Sequence, residues 1–422
     1  MKHGLAAVQV CSTAYVNLGR AQAKALGYPD LPIVVVPHPF PGHTAAKVRE
    51  LAEQCVEDIA RLLCETRTPG DAATAPAGGA AAKVEVTDDL DAINLLFRER
   101  RWTDGLPIVP PVPERVERML RCCPRAGDEI IASLAPGFGA ATVERIAINA
   151  VMAGCDPEYL PVLIAAVEAV TSPEFHLQSI QATTNAAAVW LIVNGPIVER
   201  LHMNPGINCL GHGNWANATL GRALHLILQN IGRALPGEMD RATQGQPGKY
   251  TFCCAENTTT NPWAPLHVER GYATENSTVT VVAAAGTLNM LSREKDATQL
   301  LRVLADSIRY PTSNDYWCGG EPWLILGPEH AEVLAHAGLS KAEVKHRLWQ
   351  ESKMPAHRMG ITDLKITQIG RRAELGTFLP DTVLPISPAP EDIQIIVAGG
   401  PGLHSVYVPT FGDTRSVTRK VM

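Results

Sequence analysis

The sequence lacks the features that would let it hold a nucleic acid or cross a bilayer. It has no basic excess: 37 Lys and Arg stand against 43 Asp and Glu, a formal charge of −6 with a pI near 6.1. A phosphate backbone needs the opposite field. Aromatic residues are only 5% of the chain, too few for a base-stacking platform. No window approaches 18 uncharged apolar residues, and the best, 160–170, is interrupted by Glu168, so no membrane span is expected. The N-terminal stretch has no small-residue cleavage site and does not read as a signal peptide. Cysteine is sparse, ten in 422 residues, without CxxC or zinc-knuckle spacing. Free thiols in a reducing cytoplasm are the expectation.

An apolar fraction of 46%, with 34 Gly and 32 Pro, fits a folded chain rich in ordered turns. The length predicts two or three domains. The fold class expected is α/β: a small parallel α/β unit at the N-terminus, linked to a larger mixed α/β body. The unit spans 1–66. Residues 67–83, rich in Ala, Gly and Pro, form a flexible linker, and 84–422 make the body. No internal repeat is apparent.

In the first unit, Leu5–Val10 and Ile33–Val36 read as strands, and 14–26 and 45–64 as helices. Strand–helix–strand–helix implies a parallel pair. In the body, strands are expected at 189–193, 249–256, 279–284, 323–326 and 393–397. Helices are expected at 143–154, 159–170, 218–231 (capped by Asn217), 297–308, 328–337 and 341–351.

Three places carry side chains suited to chemistry. Cys11 is predicted to follow the first strand and precede the first helix, at the sheet edge where open α/β folds bind ligands. A helix N-terminus there would lower its pKa. His38 and His43 leave the next strand on the same edge, through the proline loop 37–43, and are candidate bases for a Cys11 nucleophile.

The second place is 204–222, Asn-rich and without an acid. Asn208, His212, Asn214, Asn217 and Arg222 there read as a binding site for a small anion, formed by a helix N-terminus and a guanidinium. The third is 245–257, where Lys249 is a point charge for the same anion. Cys254 and Glu256 share a strand face, with Glu256 the general acid/base. Trp263 is read as a pocket wall and His267 as a second titrating group.

Residues 1–66 resemble the UGSC family, named for a Sec-Gly-Ser-Cys tetrapeptide on a strand-end loop of a small α/β domain. The segments LAAVQVCSTAY, ALGYP and IVVVPHPF carry the resemblance. The remainder, with TDGLPIVPP, NAVMAGCDPEYLP and GQPGKYTFCCAEN, looks like the companion region found alongside such domains. This chain has Val10-Cys11-Ser12-Thr13 at the motif, with one sulfur and no glycine. Cys11 matches either end of the tetrapeptide. The resemblance leans toward redox chemistry; the single sulfur leans toward a lone thiolate, or a mixed disulfide with an external thiol.

The function expected is therefore a cysteine-dependent cytoplasmic enzyme acting on a small anionic, carboxylate-type molecule. The step is thiolate attack, reductive cleavage or addition–elimination, with no cofactor and no metal, in a homo-oligomer. One alternative is a metal-dependent hydratase or lyase using Cys209, His212, Cys254 and His267. Another is a non-catalytic binding subunit.

Overall fold

The computed structural model describes residues 6–38, 43–65, 81–379 and 381–422. The proline loop residues 39–42 and most of the expected linker lie outside them. In the N-terminal unit, strand β1 (Gln9–Ser12) leads through a 3-10 turn into helix α1 (Val16–Ala25), which ends at Gly27 with φ +84°. Strand β2 (Ile33–Val36) is four β-branched residues. Thr44 caps helix α2 (Ala45–Cys64) by accepting the Lys47 N–H.

β1 starts later than the apolar run suggests. It is placed by parallel pairing in register, from Gln9 against Ile33 to Ser12 against Val36, so Cys11 is inside the strand. Paired residues share a face: Cys11 lies with Ile33 and Val35, Ser12 with Val34 and Val36. α1 covers the Cys11 face, since a Cβ on Gly19 would come within 3.0 Å of Cys11 Sγ.

The body begins with Asp89, which caps helix α3 (Leu90–Glu99), then helix α4 (Pro113–Leu120) and a hairpin of β3 (Ile130–Leu134) and β4 (Gly139–Thr142). Helices α5 (Val143–Ala153), α6 (Leu160–Val170) and α7 (Leu177–Ala182) follow. Strand β5 (Ala188–Asn194) is wholly buried. After it come helices α8 (Ile197–Arg200) and α9 (Trp215–Asn230), then strand β6 (Cys253–Ala255) and helix α10 (Leu266–Glu269). Strands β7 (Thr278–Ala284) and β8 (Leu288–Leu291) complete this half.

Two sequence expectations shift here. Asn214, not Asn217, caps α9, because its side chain accepts the Asn217 N–H at 2.9 Å. Asn217 sits inside the first turn. The strand expected over 249–256 is only 253–255, because Pro247–Lys249 forms a 3-10 turn.

The second half has helices α11 (Ala297–Ile308) and α12 (Asn314–Cys318), strand β9 (Trp323–Leu326), and helices α13 (Pro328–His336) and α14 (Lys341–Glu351). A short pair, β10 (Met354–Pro355) and β11 (Val383–Leu384), precedes strands β12 (Gln394–Val397), β13 (His404–Val408) and β14 (Val417–Lys420).

These strands make two mixed sheets, ordered β14-β7-β5-β6 and β12-β9-β13-β8. Their residues sort into layers by strand alternation. Val189, Leu191 and Val193 of β5 pack with α5, α6 and α9. Trp190 and Ile192 point the other way, onto Trp323 and Ile325 of β9 and Ile396 of β12. Leu324, Leu326, Ile395 and Val397 then face α11, α13 and α14. The body is thus layered helix–sheet–sheet–helix. No helix among the described residues is long and apolar enough to cross a membrane by itself.

The two sheets share one wiring. In each, a central strand (β5 or β9) has a parallel edge neighbour reached by a helical crossover (β6 or β12) and an antiparallel neighbour (β7 or β13). The fourth strands are exchanged: β8, following β7, pairs with β13, and β14, following β13, pairs with β7. The chains cross where Ala284 bridges Thr410. The sequence carries a trace of this duplication too short to read as a repeat by itself. Trp190-Leu191-Ile192-Val193-Asn194-Gly195-Pro196 opens the crossover in one half, and Trp323-Leu324-Ile325-Leu326-Gly327-Pro328 in the other. Five identities around one insertion are below what composition or periodicity detects.

Candidate functional site

Two polar edges hold the candidate residues, one in each part of the chain. At the end of β1, Cys11 is half-buried and its Sγ packs on Gly19, inside α1. Burial raises its pKa; a hydrogen bond with Gln9 and the charge of Arg20 pull it back, but the thiol stays above its ordinary value. The lowered pKa expected from the sequence is not found. The thiol packs against Gly19 of α1, and burial there outweighs the Gln9 and Arg20 contributions.

Nor does His38 bind Cys11. Its Nδ1 lies 3.1 Å from Ser12 Oγ, and its ring meets Tyr15 edge to face at 5.7 Å. Strand alternation explains this, because Ser12 points to the face opposite Cys11. His43 is half-buried just before the Thr44 cap. Sequence reasoning missed Ser12; its position as the last residue of a strand, opposite a strand leading into His38, was the available signal.

The second edge is the carboxyl end of β5 and β6. Both parallel pairs of the body end near the 204–214 loop: Asn257 N–H donates to Val397 O at 2.8 Å, and Gly399 N–H to Pro205 O at 2.9 Å. A Cβ on Gly400 would lie 2.2 Å from Ile207 Cγ1, so only glycine admits this packing. Glu256 sits at this edge, 1% exposed. It accepts from Asn194 Nδ2 at 2.5 Å, Asn261 Nδ2 at 2.8 Å and the Leu266 N–H at 2.7 Å. Burial raises its pKa, and the charge of Lys341 with the donated N–H groups only partly opposes this. A buried carboxyl held above its ordinary pKa is the form a general acid takes. Asn194 and Asn261 were not foreseen. Asn194 is the one inserted residue in the repeated strand motif; counted by strand register instead, the second half has Gly327 and Ala398 where the first has Asn194 and Glu256.

His267 is 2% exposed, with Nε2 3.3 Å from Thr274 O; burial lowers its pKa. Beside it, Lys341 and Lys345 hold Glu269 at 2.9 and 2.5 Å, and Lys341 also donates to Ala264 O. Trp263 donates to Leu339 O at 3.0 Å and packs on the core of the second half. It is an anchor between halves rather than a pocket wall.

The expected anion cradle is engaged internally. Arg222 makes a two-pronged pair with Asp104, at 2.7 and 2.9 Å, and donates to Pro107 O. Lys249 binds Asp240 at 2.5 Å. The segment 204–222 contains no acid, but the fold brings Asp104 to it from 118 residues away. Asn217 holds the loop itself, donating to Asn204 O and Cys209 O. Asn208, at φ +59°, donates to His212 O, and both are exposed. Asn214 donates to His202 O.

Cys209 and Cys254 belong to one buried cluster between the sheets. His212 is on the loop surface and His267 on α10. Among the described residues no group of three or more His, Cys, Asp and Glu is gathered as a metal ion requires. Neither edge coincides with the better-formed hollows. One, about 280 Å³, lies between β2 and α2 over Val34, Val36 and Leu51; another, about 410 Å³, lies between α6 and the C-terminal Met422.

Residues 1–65 match the model of the UGSC family. No curated protein and no solved structure matches the chain.

Proposed function

We propose that the chain is a thiol-dependent enzyme acting on a small anionic molecule, with its reacting group at the end of β1. The observation that carries this reading is the placement of Cys11, Ser12 and His38 on adjoining carboxyl ends of a parallel pair, inside the UGSC-matched segment. That edge is where parallel α/β units present reactive groups. Arg20, whose charge reaches Cys11, is a cation suited to an anionic substrate, and it replaces Arg222 and Lys249 in that role.

The raised pKa makes the neutral thiol the resting form, so attack needs a base. His38 is that base in this reading once its ring leaves Ser12 and turns to the Cys11 side of the strand: it then takes the thiol proton as the sulfur bonds to an electrophilic carbon, and returns it to the leaving group. At rest Ser12 holds the imidazole Nδ1 on the face opposite Cys11. Addition–elimination fits a lone sulfur without a second chalcogen.

The test is iodoacetamide labelling of each cysteine across pH, with turnover screened on small carboxylates. Labelling of Cys11 is expected to rise only near or above about pH 8.5, the usual thiol range. Turnover is expected to be lost in Cys11→Ala and in His38→Ala.

A second reading rests on the 3.1 Å Ser12–His38 contact. A hydroxyl within reach of an imidazole is itself a nucleophile–base pair. Turnover that survives Cys11→Ala and disappears in Ser12→Ala would assign the reaction to the hydroxyl.

A further inference from the structure

We propose that the outer edge of β2 is an interface between two copies of this chain. It pairs antiparallel with the same edge of a partner subunit and joins two N-terminal units in one sheet, ordered β1-β2-β2-β1. Among the described residues β2 pairs only with β1, and the helices packed on it are α1 and α2. A sheet of two four-residue strands is marginal by itself. The strand is Ile33-Val34-Val35-Val36, β-branched throughout and without a charge, and Val35 is 46% exposed. Proteins that keep an edge free place a lysine or a bulge on it; an apolar edge without one associates.

The hydrogen-bonding groups left over are self-complementary. Gln9 N–H donates to Pro32 O at 2.9 Å, and with the parallel register this turns the N–H and C=O of Val34 toward β1. The N–H and C=O of Ile33 and Val35 therefore point outward. A two-fold axis at Val34 sets Ile33 opposite Val35 of the partner subunit. Every outward N–H of the two strands then meets an outward carbonyl. A shift of two residues would bring Pro37, which has no N–H, opposite Ile33, so the proline fixes the register.

The space beside the strand suits this occupant. The hollow of about 280 Å³ is lined by every residue from Ile33 to Pro37 and by none of β1, so it follows the outer edge, with α2 alongside. Leu51 and Leu62 give it an apolar wall, and Gln54, Asp58 and Arg61 a polar one. Asp58 and Arg61 lie 2.8 Å apart. With one acid and one base, this rim meets its own copy without an excess of either charge, as an isologous contact requires. Antiparallel pairing also sends the carboxyl ends of the two β2 strands in opposite directions, so neither subunit covers the other's Ser12–His38 edge. The inference does not depend on the chemistry proposed for Cys11.

The experiment is sedimentation of the full chain over a concentration series, with two variants. Wild type is expected to form a dimer of the 45.3 kDa chain. Val35→Pro removes an outward N–H from each copy and leaves the β1 ladder whole. It is expected to raise the dissociation constant on the order of tenfold or more. Val34→Cys puts two thiols face to face on the axis, at the roughly 4.5 Å Cα separation of such a pair, within disulfide reach. Mild oxidation is expected to give a dimer cross-linked through position 34 in both chains, undone by dithiothreitol. A wild type that stays monomeric overturns the proposal, and so does a dimer that Val35→Pro leaves intact or that yields no such cross-link. Amide exchange decides the matter if Val35→Pro does not fold. Protection of the Ile33 and Val35 amides should rise with protein concentration. Protection independent of concentration means that another segment of the same chain covers the edge, and overturns the proposal too.

Discussion

Trp190 and Trp323 occupy the same position in the two halves of the body, and they meet edge to face between the sheets, centroids 5.6 Å apart and planes at 78°. Each is the first residue of the repeated strand motif and pairs with the antiparallel neighbour of its own sheet, Val282 or Val408. Their surroundings have diverged. Phe252 stacks on Trp190 at 5.4 Å, whereas the Arg270 guanidinium lies over Trp323 at 5.6 Å. A buried contact shared by two copies of one motif locks the halves together, and the exchanged strands β8 and β14 do so again through the backbone.

Truncating either tryptophan removes a side chain with no exposed surface. Trp190→Ala and Trp323→Ala are each expected to cost about 3–5 kcal/mol. Because the rings touch, the double variant is expected to fall short of the sum, by on the order of 1 kcal/mol. Denaturant unfolding of the four proteins measures this. Strict additivity would mean that the two halves do not communicate through this contact.

The Asp104–Arg222 pair is expected to set part of the acid stability. Burial alone would raise the Asp104 pKa, but the Arg222 hydrogen bonds and charge hold it below the ordinary value. A depressed folded pKa gives stability that is present above the unfolded pKa, near 3.9, and is lost as pH falls through the folded value. Asp104→Asn is expected to cost about 1–3 kcal/mol at pH 7, the cost of losing a charged hydrogen bond in a pair that is only partly buried. Its deficit against wild type shrinks toward pH 3. Thermal unfolding from pH 7 to pH 3 checks both statements.

Asp315 has the opposite sign. It is wholly buried where the two sheets exchange strands, accepting from Tyr407 and from Thr410 Oγ1 at 2.8 Å. Burial pushes its pKa up to about 6 despite those donors. A raised folded pKa gives stability that is full below the unfolded value and lost as pH rises through about 6. Between pH 4 and 7 the loss is on the order of 2–3 kcal/mol, at about 1.4 kcal/mol per unit. In Asp315→Asn that decline is expected to vanish; a slope unchanged by the substitution would place the titration elsewhere.

Much of the scaffold was legible because strong periodicity and caps decide elements locally. Strand 323–326 and helices 297–308 and 341–351 fall where the sequence places them, the last with a Ser340–Glu343 capping box. What was not legible is tertiary. Nothing within 204–222 announces that Asp104 neutralises Arg222, and anion cradles and internal clamps use the same residues. The first strand ends two residues later than its apolar run suggests, which places Cys11 within it and packs its thiol on Gly19. Asn194 and Asn261 reach Glu256 only once β5, β6 and the following loop are assembled.

Glu256 gives the last expectation. Its two oxygens take three N–H donors, an arrangement that a glutamine cannot reproduce, because its NH₂ would face at least one donor. Glu256→Gln is expected to cost about 1–3 kcal/mol, and Glu256→Ala more, since Asn194, Asn261 and the Leu266 amide lose their acceptor. With the folded pKa raised by burial, the wild-type contribution is full below about pH 4.3 and is lost as pH rises through the folded value. The stability gap between wild type and Glu256→Gln should therefore narrow as pH rises from 4 to 8. A gap that widens over that range would show that the donors outweigh burial, leaving Glu256 a carboxylate that anchors the 257–266 loop and cannot serve as an acid.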